Sequence, residues 1–195
     1  YENERGTYIF NSKDLCMIEH MDDILTSGID SLKIEGRMKT ALYVADVART
    51  YRQAIDDYFT SPELYESKKV YYMEEISKCT YRQYTTGFFY GPTTHESQIY
   101  DNNTYVKRYT YLGIVNDIDE NGYACMEQRN KFCVGDEGEI MKPSGENVTV
   151  TVKAMLDQYG KETQSCPHPQ EKIKVLFSEK PDIMDLIRVK EEENK

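Results

Sequence analysis

The chain has 195 residues, of which 39% are hydrophobic and 30% are charged, and its formal net charge is −10. This composition is typical of a globular protein, and no apolar run approaches the roughly 20 residues that a membrane-spanning helix needs. The acidic balance argues against non-specific nucleic-acid binding, which depends on Lys and Arg side chains that neutralise phosphates.

The chain opens YENERGTY, with neither an initiator methionine nor a secretory apolar segment, so we expect it to be a piece of a longer protein. Its five cysteines form no CxxC pair and no zinc-like spacing. An odd number of cysteines without a signal peptide predicts free thiols in a reducing compartment, and hence a cytoplasmic location. The five are Cys16, Cys79, Cys125, Cys133 and Cys166.

The first sixty residues predict two successive strand–helix pairs. A strand is predicted over residues 7–10 and a helix over residues 13–27, because its apolar residues recur at intervals of three and four. A second strand over residues 29–34 precedes a helix over residues 41–59. Strands alternating with helices across short loops are typical of a parallel α/β architecture, so this region is expected to be the last quarter of a (β/α)₈ barrel.

The rest of the chain changes character. A third helix is predicted over residues 68–79, followed by an aromatic-rich connector. From residue 109 onward, short alternating strands separated by turn-forming residues predict a small antiparallel barrel or sandwich. The six predicted strands cover residues 112–118, 123–128, 137–141, 148–155, 172–177 and 186–189. We therefore predict an α+β chain divided into residues 1–60, 61–108, 109–190 and an acidic tail at 191–195.

The sequence Glu35-Gly36-Arg37 directly follows the predicted strand over residues 29–34. The carboxyl end of a strand between helices is where α/β proteins place chemistry, so Glu35 and Arg37 are candidate catalytic residues. Lys33, Gly36 and Lys39 are candidate substrate-binding residues, since an Arg and a Lys at a strand end can hold a phosphate or a carboxylate. A surface ion pair between Glu35 and Arg37 explains the same pattern equally well.

Cys16 falls in the first turn of the helix predicted over residues 13–27. The partial positive charge at a helix N-terminus favours a thiolate, which makes Cys16 a candidate metal ligand. On local grounds alone, a buried and inert cysteine remains the better interpretation.

Several long motifs resemble the C-terminal portion of peptidase family U32, the collagenase-like proteases. The motifs are SKDLCMIEH, GIDSLKIEGRMK, YVADVARTYRQAID, YTTGFFYG, EQRNKFCVGDEGEI and PHPQ. The resemblance implies the end of a TIM-like barrel followed by a small β-barrel similar to domains of translation factors. The family is named for proteolysis, but several members are implicated in hydroxylation. The hydroxylation acts on the wobble uridine of tRNA, on ribosomal RNA or in ubiquinone synthesis. Those members hold an iron–sulfur cluster through four cysteines.

The resemblance also implies roles for particular residues. Cys16 matches the last cluster cysteine, and the other three would lie upstream of this chain. Glu35, Gly36 and Arg37 match the motif that follows the last barrel strand, at the mouth of the active site. The remaining four cysteines match no ligand position and are expected to be structural.

The resulting hypothesis is the C-terminal part of an iron–sulfur-dependent tRNA hydroxylation enzyme, which alone binds no cluster and catalyses nothing. Its expected partners are the upstream TIM-like barrel of the same protein and tRNA or a protein substrate, with no membrane contact. The runner-up is a protease of the same fold, although His20, His95 and His168 are scattered and neither G-x-S-x-G nor H-E-x-x-H occurs. A third hypothesis makes the β-barrel a binding module that presents RNA or protein.

Overall fold

The structure, a computed structural model, describes residues 2–3, 6–7, 11–100 and 105–191. Its α-helices are α1 (Met21–Thr26), α2 (Ala41–Thr60) and α3 (Pro62–Ile76). Its strands are β1 (Glu2–Asn3), β2 (Gly6–Thr7), β3 (Asp14–Leu15), β4 (Tyr84–Thr85), β5 (Tyr109–Ile118), β6 (Ala124–Glu127), β7 (Glu137–Met141), β8 (Asn147–Leu156), β9 (Glu162–Thr163), β10 (Lys172–Phe177) and β11 (Leu186–Lys190).

The chain divides into two compact units. The helical unit comprises residues 1–39 and 46–107, and the barrel unit comprises residues 40–45 and 108–195. The first turn of α2 therefore belongs to the barrel unit, where Leu42 packs against Met141 and Leu186. The rest of α2 belongs to the helical unit.

The barrel unit is a closed antiparallel barrel of six strands. The strand order is β10-β6-β5-β11-β7-β8, and pairing of β8 with β10 closes the circle. Alternate residues of each strand point inward, which is the two-residue period that the sequence shows. The α+β class, the antiparallel barrel and its six long strands are thus confirmed, and the short β9 adds an unpredicted seventh strand on β8.

Fourteen buried residues fill the barrel. They are mostly β-branched, aromatic or methionine side chains: Leu112, Val115, Ala124, Met126, Phe132, Ile140, Val150, Val152, Met155, Cys166, Ile173, Val175, Phe177 and Ile187. A charged residue, Arg188, is buried on the outer face of the barrel wall, next to the inward-facing Ile187. The Arg188 guanidinium donates to Glu139 Oε2 at 2.9 and 3.0 Å and lies over the ring of Tyr109, so its charge is balanced where water does not reach.

The helical unit packs around tyrosines. Tyr65 and Tyr72 are fully buried and stack at 5.8 Å between ring centroids. The Tyr65 hydroxyl donates to the Ile18 carbonyl at 2.9 Å and accepts from the Met21 N–H at 3.0 Å. These two hydrogen bonds fix α3 against the start of α1, because both join the Tyr65 side chain to backbone groups there.

The predicted helix over residues 13–27 is wrong in its first third. Asp14 and Leu15 form the parallel strand β3 beside β4, and a 3-10 helix over Ile18–His20 leads into α1. The reason is long-range: the N–H groups of Asp14 and Cys16 donate to carbonyls of Gln83 and Thr85. A hydrophobic period read along the chain cannot reveal a pairing with residues about seventy positions away.

The predicted strand over residues 29–34 is also wrong in this structure. The segment has no regular secondary structure, and Ile29, Leu32 and Ile34 are exposed. A parallel strand needs neighbouring strands for its hydrogen bonds, and none of the described strands pairs with it. Of the strand predicted over residues 7–10, only Thr7 lies within the described residues, in β2; the TIM-like barrel itself stays a prediction.

The other two helices are found where amphipathic segments were predicted. Thr40 caps α2 as expected, with its Oγ1 accepting from the Tyr43 N–H at 3.2 Å. Helix α3 begins at Pro62 and not at residue 68, because Ser61 Oγ accepts from the Leu64 N–H and the proline occupies the first helical position. Neither these helices nor α1 combines the length and apolarity needed to cross a membrane.

Candidate functional site

A cavity of about 460 Å³ lies in the helical unit, between the segment that carries Cys16 and the loop that follows β4. The loop begins at β4 and contains the sequence GFFYG, with Gly87 and Gly91 both in the left-handed region of φ. The walls of the cavity include Cys16, His20, Tyr84, Tyr90, Lys13 and Glu96. The cavity is therefore lined by a thiol, an imidazole, phenols and opposite charges.

Cys16 sits on the cavity wall directly after β3. Its N–H donates to the Thr85 carbonyl at 2.9 Å, and its Sγ lies 3.7 Å from the hydroxyl of Tyr51 on α2. Burial raises the pKa of the Cys16 thiol, although the Ile18 backbone and the Tyr51 hydroxyl act in the opposite direction. The expectation of a thiolate at a helix N-terminus is therefore wrong, because no helix begins at Cys16 and desolvation favours the neutral thiol.

A hydrogen-bonded group of three side chains borders the same cavity. The Tyr90 hydroxyl donates to Asp23 Oδ2 and lies 2.9 Å from His20 Nδ1. The bond to Asp23 raises the pKa of Tyr90 to about 12. Since the single phenolic proton goes to Asp23, His20 Nδ1 must carry a proton and donate it to the Tyr90 oxygen. These contacts fasten the GFFYG loop to the start of α1.

The predicted catalytic residues Glu35 and Arg37 lie in an exposed turn. Glu35 Oε1 accepts from the backbone N–H of Arg37 at 3.0 Å, and Lys33 Nζ is 3.8 Å from Glu35 Oε2. Within the described part of the chain, no carboxylate forms an ion pair with the Arg37 guanidinium. The surface ion pair between Glu35 and Arg37 that explained the pattern equally well is therefore absent from this structure.

Gly36 and Lys39 occupy the same turn. The Lys39 N–H donates to the Gly36 carbonyl at 2.9 Å, and Lys39 Nζ contacts Asp14 Oδ2 at 3.1 Å. Asp14 precedes Cys16 by two residues, so this ion pair ties the predicted substrate-binding turn to the strand that leads to the cysteine. Lys33, Glu35, Gly36 and Arg37 do not line the cavity around Cys16.

The cysteines and carboxylates do not assemble into a complete metal site. Within the described residues, no three His, Cys, Asp or Glu side chains are grouped so as to hold a metal ion. All five cysteines are free thiols, and Cys79 and Cys166 donate to backbone carbonyls. Cys16 thus fits one ligand position at a cavity wall, and the described residues do not provide the further thiolates that an iron–sulfur cluster requires.

Sequence reasoning missed His20, Asp23, Tyr51 and Tyr90. His20 was noted only as one of three scattered histidines, and the other three residues were not singled out. One signal was present: the motifs SKDLCMIEH and YTTGFFYG, both quoted for the family resemblance, contribute Cys16, His20 and Tyr90 to one cavity. Their meeting depends on the β3–β4 pairing, which neither motif encodes alone.

Comparison with known proteins identifies both parts of the chain. A model of peptidase family U32 matches residues 1–99, and a model of the U32 C-terminal domain matches residues 107–188. The tRNA hydroxylation protein P1 of Bacillus subtilis is 37% identical over 92% of this chain and 43% of its own length. The tRNA hydroxylation protein P of Escherichia coli is 36% identical over 86% of this chain and 36% of its own length.

A more distant relative is a collagenase of Porphyromonas gingivalis, 26% identical over 70% of this chain and 38% of its own length. The chain spans less than half the length of each of these curated relatives. These relatives carry two kinds of name, tRNA hydroxylation protein and collagenase.

Proposed function

Because the chain belongs to peptidase family U32, we propose that it forms the C-terminal part of a tRNA hydroxylation enzyme that acts on the wobble uridine. The observation that carries the proposal is the 37% identity with a tRNA hydroxylation protein across 92% of the chain. That match extends through both units, since it covers 181 residues. The upstream TIM-like barrel and tRNA are the partners that the proposal requires.

Cys16 is the residue of this chain that the proposal assigns to a cofactor. We propose that its thiol supplies one ligand of an iron–sulfur cluster, with the other three cysteines in the upstream barrel of the same protein. Two features support this assignment: the thiol faces a cavity, and its backbone is fixed by the hydrogen bond to Thr85. Metal coordination deprotonates a thiol outright, so the raised pKa of Cys16 describes the metal-free chain.

The turn at residues 33–39 is proposed to bind an anion. Arg37 supports this role because its guanidinium is exposed and has no ion pair among the described residues. A planar guanidinium presents a fork of donors that matches a phosphate of tRNA or a carboxylate cosubstrate. Glu35 fixes the turn through the Arg37 N–H, while Lys33 and Lys39 lie in the same turn and pair with Glu35 and Asp14.

Proteolysis is the second candidate, and the collagenase relative favours it. Against it stand the names of the relatives with higher identity and the composition of the cavity. The cavity holds a raised-pKa thiol, and its Tyr90–His20–Asp23 contacts leave the imidazole directed at a phenol. A Cys–His protease needs a thiol activated by its histidine.

We also propose a cytoplasmic location, since all five thiols are free.

The test is mass spectrometry of tRNA nucleosides from cells in which the whole gene is deleted and then restored. Deletion should abolish the hydroxylated wobble uridine, and the wild-type gene should restore it. Cys16→Ser should fail to restore it, whereas Cys79→Ser, a matched control at another buried cysteine, should succeed. An unchanged nucleoside profile on deletion would contradict the proposed function, and full restoration by Cys16→Ser would remove Cys16 from the cofactor site.

A further inference from the structure

A second cavity, of about 680 Å³, is a groove on the barrel unit. Strands β6 and β10 contribute Cys125, Glu127, Lys172 and Lys174 to it, and the turn over residues 157–160 forms part of its wall. The groove is distinct from the cavity that contains Cys16, and nothing in the proposed function uses it. A concave surface that presents a few polar groups is the usual form of a ligand site.

Tyr159 is the prominent residue of the groove. It is 85% exposed and projects from the turn between β8 and β9. The turn is rigid, because Asp157 Oδ1 accepts from the N–H groups of both Tyr159 and Lys161 at 2.9 Å. The groove therefore carries an aromatic ring that is open to solvent on a turn whose backbone is fixed, and an open ring face is what stacking of a flat ligand requires.

Two of the charged side chains around the groove are already held in ion pairs. The Glu127 carboxylate pairs with Arg129 at 3.2 Å, and Lys174 pairs with Asp119 at 2.9 Å. Lys172 also lines the groove, and within the described residues it forms no ion pair. The Asp157 carboxylate accepts from the N–H groups of its own turn, so Lys172 is the lining cation that is left for an anionic ligand.

We propose that this groove binds a single unpaired nucleotide of an RNA chain. The base stacks on Tyr159, the amide groups of Asn116 and Gln158 contact its edge, and Lys172 contacts the adjoining phosphate. The inference rests on the proposed function, which makes tRNA the RNA concerned. It adds a place on the barrel where that RNA is held.

A peptide is the rival occupant, and the topology disfavours it. Peptides commonly bind by adding a strand to a free sheet edge. Each of the six long strands of the barrel is paired on both sides, so these strands offer no such edge. The relative that matches this chain over 92% of its residues is named for tRNA hydroxylation, which also favours RNA.

The chain contains no tryptophan, which allows a direct test with a single fluorescent reporter. In Tyr159→Trp, stacking of a base should quench the emission when a short single-stranded oligouridylate is titrated at low salt. A phosphodiester chain of equal length without bases should not quench it. Phe59→Trp is the matched control, because Phe59 is 72% exposed on α2 in the other unit, and its emission should not change with either ligand.

Two further variants separate stacking from charge. Tyr159→Ala should weaken oligouridylate binding about 5- to 150-fold. Lys172→Gln should lower the slope of log affinity against log salt by about 0.7, the value for one phosphate contact to a single strand, and Lys153→Gln, outside the groove, should leave the slope unchanged. Far-ultraviolet circular dichroism of each variant should match that of the wild type.

The outcomes are distinct. The stacking site would be overturned if the base-free chain quenched the Tyr159→Trp variant as strongly as RNA does, or if RNA quenched the Tyr159→Trp and Phe59→Trp variants equally. Saturable quenching by a gelatin peptide, with none by RNA, would assign the groove to a peptide. A lost tRNA modification on gene deletion, together with no quenching of the Tyr159→Trp variant by RNA, would refute the groove and leave the proposed function intact. An unchanged tRNA nucleoside profile on gene deletion, together with quenching of the Tyr159→Trp variant by RNA, would refute the proposed function and leave the groove as an RNA site.

Discussion

The barrel unit and the helical unit both contain apolar residues in regular patterns, yet the two differ in how those patterns are satisfied. In the barrel unit, the strand alternation ends in a closed sheet with one continuous core. In the helical unit, the segment over residues 29–38 leaves Ile29, Leu32, Ile34 and Met38 exposed. A pattern of apolar residues identifies a face that can be buried. Whether that face is buried depends on whether the segment that packs against it is present.

The difference follows from where the partners of each element lie in the sequence. The β5–β6 pair is joined by a short turn, and each barrel strand finds both neighbours within residues 109–190. A parallel strand, in contrast, needs neighbours that are separated by a crossover connection. The proposed upstream barrel would supply such neighbours for residues 29–34.

The largest effect that we expect is loss of the buried charge on the outer face of the barrel wall. Arg188→Ala removes a fully buried guanidinium and the cation that balances Glu139, so it should lower the free energy of unfolding by about 3–5 kcal/mol. Arg52→Ala removes an exposed guanidinium that pairs with Asp56 on α2 and should cost about 0–1 kcal/mol. Urea unfolding followed by circular dichroism measures both.

The paired variants sharpen the comparison between the units. If Arg188→Ala and Arg52→Ala cost the same, burial does not make the Arg188–Glu139 pair more important to stability than an exposed pair. A cost below about 1 kcal/mol for Arg188→Ala, the range of an exposed pair, would show that water reaches the site in solution.

A smaller effect is expected from the tyrosine core of the helical unit. Tyr65→Phe removes a hydroxyl that donates to Ile18 and accepts from Met21, so two hydrogen bonds between α3 and the start of α1 are lost. The cost should be about 1–3 kcal/mol. Tyr159→Phe, at an exposed hydroxyl, is the control and should leave the unfolding curve unchanged; a similar loss in both variants would contradict the structural role of Tyr65.

The smallest effect concerns acid sensitivity of the barrel. The hydrogen bond from Lys174 holds the pKa of Asp119 below its usual value of 3.8. Because the folded-state pKa is the lower one, this carboxylate stabilises the fold at neutral pH, and the contribution is lost as the pH falls through the folded-state pKa. Asp119→Asn should therefore flatten the acid side of a stability profile recorded by urea unfolding, and an unchanged acid slope would contradict the contact.

The barrel was predictable because its signals are local. The turn over residues 119–122 and the two-residue alternation on either side specify a hairpin without reference to the rest of the chain. Helix α3 shows a limit of the same method: it was predicted to begin at residue 68, but Ser61-Pro62 begins it directly after α2. A proline lacks the N–H that an interior helix position needs, yet it is tolerated at the first position of a helix.

The candidate site was less predictable, because it depends on contacts between distant segments. Cys16 was identified from the family resemblance, but its surroundings required the β3–β4 pairing, which brings Tyr90 within reach of His20 and Asp23. Burial raises the pKa of the Cys16 thiol, which agrees with the local interpretation of a buried and inert cysteine and not with a thiolate at a helix N-terminus. The roles of Glu35 and Arg37 stay predictions.

The most direct test of the account is amide hydrogen exchange, measured by mass spectrometry on this chain alone and on the whole protein. In the chain alone, amides of residues 29–38 should exchange almost completely before those of β5, β8 and β11, since they lack regular hydrogen bonds. In the whole protein, amides of residues 29–34 should become protected, because the upstream barrel pairs with them. Equal and rapid exchange of this segment in both proteins would contradict the claim that it becomes a barrel strand when its neighbours are present.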